Sequence, residues 1–181
     1  MLLDDIYNFQ IPDSAEHLLS IDIETSSRKH PNVHFQIHKA TNGDLHVHWR
    51  LELPISELIS VMQSFRNKFF STETTVPAAT VLSDSRFKSE LLHHSPINCK
   101  AVDSELIRMI HTIGSKAFPE NVEKSHGLDG TSFTITNHKN AQTLLFWCGP
   151  PREWIELGIL ILHLLEFTEL DVWYRPYIYQ I

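Results

Sequence analysis

The sequence predicts a single α+β domain over residues 1–181, built from two β-hairpin-plus-helix units whose mainly antiparallel sheet packs against helices. Both hairpins show apolar and polar residues in alternation, which is typical of half-buried strands. Each hairpin is followed by a segment with apolar residues at helical spacing. Hairpins followed by helices indicate a layered α+β fold, and the chain is long enough for one hydrophobic core.

The first hairpin is predicted over Val33–Lys39 and Asp44–Glu52, and its register can be argued from its turn. A two-residue turn would set the apolar face of one strand opposite the polar face of the other. A three-residue loop, Thr41–Gly43 with Gly43 in the left-handed region, pairs Ile37 with Val47 and keeps each face uniform. We therefore predict the three-residue loop, which also pairs Phe35 with Trp49.

Turn and capping signals delimit the other elements. In the first half of the chain we predict a strand at His17–Glu24, a helix begun by Pro54, a short strand at Ala78–Leu82 and a helical turn or two around Phe87–Leu92. In the second half we predict a helix capped by Asp103 or Ser104, a second hairpin ending at Cys148 and a buried helix at Arg152–Phe167. The last predicted element is an edge strand or interface segment in Trp173–Ile181. The helix after Pro54 is expected to bury an apolar stripe of Ile55, Leu58, Ile59, Met62, Phe65 and Phe69.

The two hairpin-helix units, residues 33–70 and 131–167, have the spacing expected of an internal duplication. Phe35–Trp49 matches Phe133–Trp147 in length without a gap. The alternative is that any two hairpins feeding helices look alike over so short a stretch. The sequence leaves both readings open.

The charge balance excludes one class of partner. The formal net charge is -7, and acidic residues are concentrated before Arg28 and after Arg152. Because phosphate backbones are bound through accumulated Lys and Arg, this balance argues against a nucleic-acid binder. It suits a protein that meets a basic partner, although solubility alone would also account for it.

The chain carries no predicted disulfide framework, leader or membrane span. Cys99 and Cys148 form no CxxC motif, so neither a disulfide framework nor a thiolate zinc site is expected. The N-terminus lacks the basic region of a signal peptide. The longest apolar run, Ile159–Leu165, is interrupted by His163 and falls short of the roughly 18 residues of a span. We predict a cytoplasmic protein that binds no membrane and no cofactor.

Four histidines alternate on one predicted face of the first hairpin: His34, His38, His46 and His48. The predicted register places His38 opposite His46. Two neutral imidazoles on one face could hold zinc if a third ligand arrived, but no HExxH motif or cysteine pair supplies one. We expect solvent-facing histidines that confer pH sensitivity, and no metal is predicted.

One group of carboxylates resembles a nuclease. Asp22 and Glu24 form a DxE motif on the first strand, which resembles the first motif of the DEDD exonucleases and the broader ribonuclease H-like superfamily. By that resemblance Asp22, Glu57 and Asp84 would hold the divalent metals that activate water. However, the YxxxD, HxxxD and glycine-rich elements of that superfamily are missing. The alternative is that these carboxylates are ordinary solvent-facing residues.

The C-terminal residues are of the types that anchor protein interfaces. Trp, Tyr and Arg are enriched at such sites, and the last nine residues contain Trp173, Tyr174, Arg175, Tyr177 and Tyr179. Together with Asp22 and Glu24 these are the predicted partner-binding residues. The competing interpretation is an edge strand whose rings lie on the core, which Pro176 also suits.

The segment 128–167 resembles a C-terminal pattern of bacterial immunity proteins for polymorphic or secreted toxins. The shared features are Asp129-Gly130 before a strand, Trp147 closing the next strand, Pro150-Pro151, Trp154 and a Leu-rich helix. The resemblance implies a cytoplasmic, non-catalytic protein that binds one toxin and blocks it, and it transfers no binding residues. Our first hypothesis is therefore a binding protein for a toxin with a basic surface. The alternatives are the metal-dependent nuclease and a homo-oligomeric structural protein.

Overall fold

The structure, a computed structural model, describes residues 11, 14–26, 30–70, 76–118, 130–147, 149–150 and 154–178. Within these residues the chain forms six strands and six helices. In order they are β1 (Glu16–Thr25), β2 (Val33–Lys39), β3 (Leu45–Leu51), α1 (Ile55–Phe69), α2 (Ala78–Ser83), α3 (Ser85–His94), β4 (Asn98–Ala101), α4 (Ser104–Ser115), β5 (Thr131–Asn137), β6 (Gln142–Trp147), α5 (Ile155–Glu166) and α6 (Asp171–Ile178). The predicted α+β class is confirmed.

All six strands lie in one antiparallel sheet of order β4-β3-β2-β1-β5-β6. The first strand in the chain is thus central, and the two predicted hairpins flank it. The predicted register of the first hairpin is confirmed, since Ile37 pairs with Val47 and Phe35 with Trp49. Gly43 has a φ of +91°, as the three-residue loop requires.

The main core lies between one face of this sheet and the helices α4, α5 and α6. From the sheet it takes the alternate apolar residues Leu19, Ile21, Ile23, Val33, Phe35, Ile37, Val47, Phe133, Ile135, Leu144 and Phe146. Asp103 begins α4 by accepting a hydrogen bond from the Leu106 amide, as the sequence predicted. The helix α5 is buried along most of its length, which confirms its predicted central position.

The helices α1, α2 and α3 pack on a second, smaller cluster around Phe65, Val81 and Phe87. Two predictions for this region were wrong. Residues 78–82 belong to a helix, because Pro77 opens a helical turn that buries Val81 and ends where Asp84 caps α3. The predicted stripe of α1 was wrong for Ile55 and Ile59, which are 62% and 49% exposed. Phe65 of the same stripe is buried, and Leu58 and Met62 pack on the second cluster.

Two more elements differ from the sequence prediction. The C-terminal segment is a helix, α6, and not an edge strand, because Tyr174 and Ile178 lie one helical turn apart and are both buried. The short strand β4 was not predicted, and it pairs with β3 at the edge of the sheet. Among the described residues, none of the helices is both long and apolar enough to cross a membrane. The internal duplication stays a prediction.

Candidate functional site on the polar face of the sheet

The sheet presents a polar face on the side away from the main core. Because successive side chains of a strand point to opposite faces, burying the apolar residues of β1, β2 and β3 directs their polar neighbours to this side. The residues of this polar face are Ser20, Asp22, His34, Gln36, His38, His46, His48 and Arg50. They form two clusters with different chemistry.

The first, which we call the charge cluster, consists of Asp22, His34, Arg50 and Glu52. The Nδ1 atom of His34 lies 2.8 Å from Asp22 Oδ1, and its Nε2 atom lies 3.1 Å from Glu52 Oε1. Burial alone would lower the pKa of His34, but the hydrogen bond to Asp22 and the close contact with the Glu52 carboxylate outweigh it and raise the pKa to about 9. His34 is therefore an imidazolium held between two carboxylates.

The same contacts also change the pKa of the Glu52 carboxylate. The close contact with His34, followed by the hydrogen bond from Asn32, outweighs burial and lowers the pKa of Glu52 to about 2. Arg50, whose side chain is buried, reaches Glu52 at 3.5 Å. These contacts occupy lone pairs of the Asp22 and Glu52 carboxylates. The charge cluster therefore links β1, β2 and the residue that follows β3.

The second, which we call the histidine–cysteine cluster, consists of His38, His46, His48 and Cys99. The rings of His38 and His46 stack with centroids 5.6 Å apart, and those of His38 and His48 are 4.8 Å apart. The Sγ atom of Cys99 lies 3.2 Å from His48 Nε2 and 3.9 Å from His46 Nδ1. The predicted pairing of His38 with His46 is confirmed.

Burial and repulsion between the imidazoles favour the neutral forms of His38 and His48, and burial favours the neutral thiol of Cys99. Burial, then the neighbouring His48, His46 and His17, lower the pKa of His38 to about 4. Burial and His46 likewise lower the pKa of His48, while burial raises the pKa of the Cys99 thiol. His38 is only 4% exposed and its Nδ1 atom has no hydrogen-bond partner. The expectation of a solvent-facing His38 was wrong, because its neighbours close over it.

The strand β4 holds Cys99 at the polar face. Cys99 pairs directly with His48 across the strands, and the neighbouring Lys100 points to the other face, with its Nζ atom 4.4 Å from the centroid of the Phe167 ring. Before β4, the Ser95 hydroxyl donates a hydrogen bond to the Leu51 carbonyl. After β4, the Val102 amide donates a hydrogen bond to the Leu45 carbonyl. These contacts fix which side of the sheet receives the thiol.

A hydroxyl–imidazole pair lies farther along β1. Ser20 Oγ and His138 Nε2 are 2.5 Å apart, and the His138 amide donates to the Leu18 carbonyl. Burial and the nearby His17 lower the pKa of His138. Ser20 is buried within a regular strand, so this pair joins β1 to the turn after β5 and does not present a nucleophile.

The structure does not assemble the carboxylates of the nuclease hypothesis. Asp22 belongs to the charge cluster, Glu57 lies in the first turn of α1, and Asp84 caps α3. Hydrogen bonds from Arg86 lower the pKa of Asp84 to about 2. Among the described residues, no three or more His, Cys, Asp or Glu side chains are already arranged to hold a metal ion. In addition, Asp84 follows a helix and not the strand that the resemblance requires.

The predicted partner-binding residues fall into two kinds. Trp173 and Arg175 are exposed on α6, Tyr177 is half-buried, and Glu24 is exposed near the end of β1. Tyr174 is buried, and its hydroxyl donates to the Pro31 carbonyl at 2.7 Å. Its prediction as a contact residue is therefore wrong, because the core of the molecule uses the ring. Tyr179 lies outside the described residues.

The loop between β1 and β2 brings α6 close to the acidic end of β1. The ring of His30 packs against the ring of Trp173, with centroids 4.6 Å apart and planes tilted by 38°. Two residues on, the Asn32 side chain accepts a hydrogen bond from the Thr25 amide, next to Glu24. The acidic strand end and the aromatic helix, predicted from separate parts of the sequence, thus border the same loop.

The sequence analysis missed Cys99 and His138 as partners of polar-face residues. No periodicity marks β4, whose four residues are all exposed, so nothing assigned Cys99 to the hairpin. The described residues thus define an α+β fold with a six-stranded antiparallel sheet, one face of which is rich in histidine. No protein-family model, curated protein or solved structure matches the chain.

Proposed function

We propose that this protein is a non-catalytic binding protein of the immunity type, which binds a cognate protein toxin with a basic surface and blocks its active site. The observation that carries the proposal is the exposure of Trp173 on α6. This side chain is 56% exposed and its neighbour Val172 is 70% exposed. Adjacent large apolar side chains that remain in water are typical of surfaces that bind other proteins.

The chemistry around Trp173 suits a protein partner. The His30 ring packs against the Trp173 ring. Trp173 therefore has little side-chain entropy left to lose on binding. Arg175, four residues from Asp171, is held by it at 2.9 Å. Exposed Trp and Arg side chains are among the residue types enriched at interface hot spots.

Charge supports a basic partner. The chain carries a formal charge of -7, and the loop bearing His30 also borders Glu24 at the end of β1. Complementary charge speeds the encounter of two proteins and weakens as salt rises. Cytoplasmic action, in which the toxin is met inside the producing cell, is part of the same proposal.

The test is isothermal titration of the purified protein against proteins encoded beside it. Removing a hot-spot side chain costs at least about 2 kcal/mol, so Trp173→Ala should weaken binding roughly 30-fold. The matched control is Ile59→Ala, which shortens an apolar side chain of similar exposure on α1. Absence of any binding among the neighbours, or equal losses in the two variants, would contradict the proposal.

A further inference from the structure

We infer that the histidine–cysteine cluster is a binding site for one zinc-like transition-metal ion, with Cys99, His48 and His46 as ligands and His38 completing the set. The inference is independent of the proposed function, because the site is built on β2, β3 and β4 and involves no residue of α6.

Ligand identity is the first argument. Thiolate and imidazole are the ligands that zinc prefers, usually four of them in a tetrahedron. His46 and His48 are two residues apart on β3 and point to the same face. Cys99 reaches that face from β4, and His38 reaches it from β2. Three strands thus contribute to one group, which supplies the third ligand that the hairpin alone lacks.

Distance is the second argument. Zinc–sulfur and zinc–nitrogen bonds of about 2.3 and 2.05 Å at a tetrahedral angle place sulfur and nitrogen about 3.6 Å apart. The observed separations of Cys99 Sγ from His48 Nε2 and His46 Nδ1, 3.2 and 3.9 Å, lie on either side of this value. Because Cys99 and His48 are directly paired across β3 and β4, the backbone of the sheet holds their side chains next to each other.

The unpartnered nitrogen of His38 is the third argument. Its Nδ1 atom is buried and accepts or donates no hydrogen bond, although buried polar atoms are nearly always paired. The ring lies against both His46 and His48. A coordinated ion, or a water bound to it, would satisfy this nitrogen.

In the conformation described, the side chains of the cluster do not yet have the geometry needed to hold a metal ion. Binding therefore requires side chains of the cluster to turn on their torsions while the paired strands stay in place. The Cys99 thiol must give its proton to solvent on binding, because the thiolate is the form that ligates zinc.

The experiment is titration of tag-free protein with Zn²⁺ and with Co²⁺, whose spectrum reports on its ligands. We expect one ion per chain and a sulfur-to-cobalt charge-transfer band that is absent in Cys99→Ser. His48→Ala should weaken binding at least about tenfold, as the loss of even an outer partner does. His163→Ala, on α5, is the matched control and should bind normally, and Mg²⁺ should not compete.

Three results would overturn the inference. They are failure of the folded wild-type protein to bind either ion, persistence of the charge-transfer band in Cys99→Ser, and wild-type affinity in His48→Ala. Circular dichroism of each variant shows that it is folded. Because partner binding is tested separately through Trp173→Ala, failure of one proposal leaves the other standing.

Discussion

Replacing His34 with glutamine should change how the stability of the protein depends on pH. In the folded protein Asp22 and Glu52 raise the pKa of His34 from its usual 6.5 to about 9. Between these two values the folded state keeps a proton that the unfolded state has lost. The stabilisation is therefore complete below about pH 6.5 and is lost as pH rises through about 9.

The size of the effect follows from the same two pKa values. Each pH unit between them corresponds to 1.36 kcal/mol, so the free energy of unfolding should fall by about 3 kcal/mol over the window. Only 16% of the His34 side chain is exposed, so solvent screens the interaction little. The lowered pKa of Glu52 reports the same interaction between His34 and Glu52. Its free energy is therefore not added to that of His34.

The assay is urea unfolding at about pH 6 and pH 9.5, followed by tryptophan fluorescence. Wild type should lose about 3 kcal/mol more than His34→Gln between the two conditions. Burial lowers the folded-state pKa of His38, His48 and His138 below the unfolded value of 6.5, so these groups add stability as pH rises through 6.5. They do so equally in both proteins, and the difference between the two isolates His34. His163→Gln, which changes an exposed imidazole on α5, is the control. A wild-type slope in His34→Gln would refute the assignment.

Two further substitutions test the packing of α6. Gly149→Ala should destabilise the protein by more than about 2 kcal/mol in urea unfolding, because Gly149 has a φ of +128° and an added Cβ would meet the Tyr177 carbonyl; a loss below about 1 kcal/mol would show that α6 moves away freely. Tyr174→Phe should cost about 1–2 kcal/mol by leaving the Pro31 carbonyl unpaired, and unchanged stability would show that water replaces the hydroxyl.

The first hairpin could be predicted because two independent constraints agree. The Asn42-Gly43 pair specifies the turn, and alternation along both strands allows only the register with uniform faces. A slip by one residue would move Phe35 and Ile37 out of the core. Elements with such double specification are readable from sequence alone.

The elements that were misread lack this agreement. The strand β4 is four residues long and exposed, so only its pairing with β3 defines it. The segment of α6 contains Pro176 and aromatic residues, which favour an edge strand locally. Burial of Tyr174 and Ile178 against the core makes it a helix. In both cases tertiary contacts decide the conformation.

The candidate site shows the same division. The facing pair His38 and His46 follows from the hairpin register, and so is visible in the sequence. Cys99 enters the site through β4, 51 positions from His48. The contact of His30 with Trp173 likewise depends on how α6 packs. Spacing in sequence carries no information about such contacts.

The central place of β1 has a consequence for how the chain folds. β1 pairs on one side with β2, which is close in sequence, and on the other with β5, where Glu24 and Ser132 lie about 100 residues apart. Closing so long a loop is slow. During synthesis from the N-terminus, β1–β3 can form early, but one edge of β1 must wait for β5. Until then, the innermost strand of the finished protein is an open edge, ready to pair with another chain.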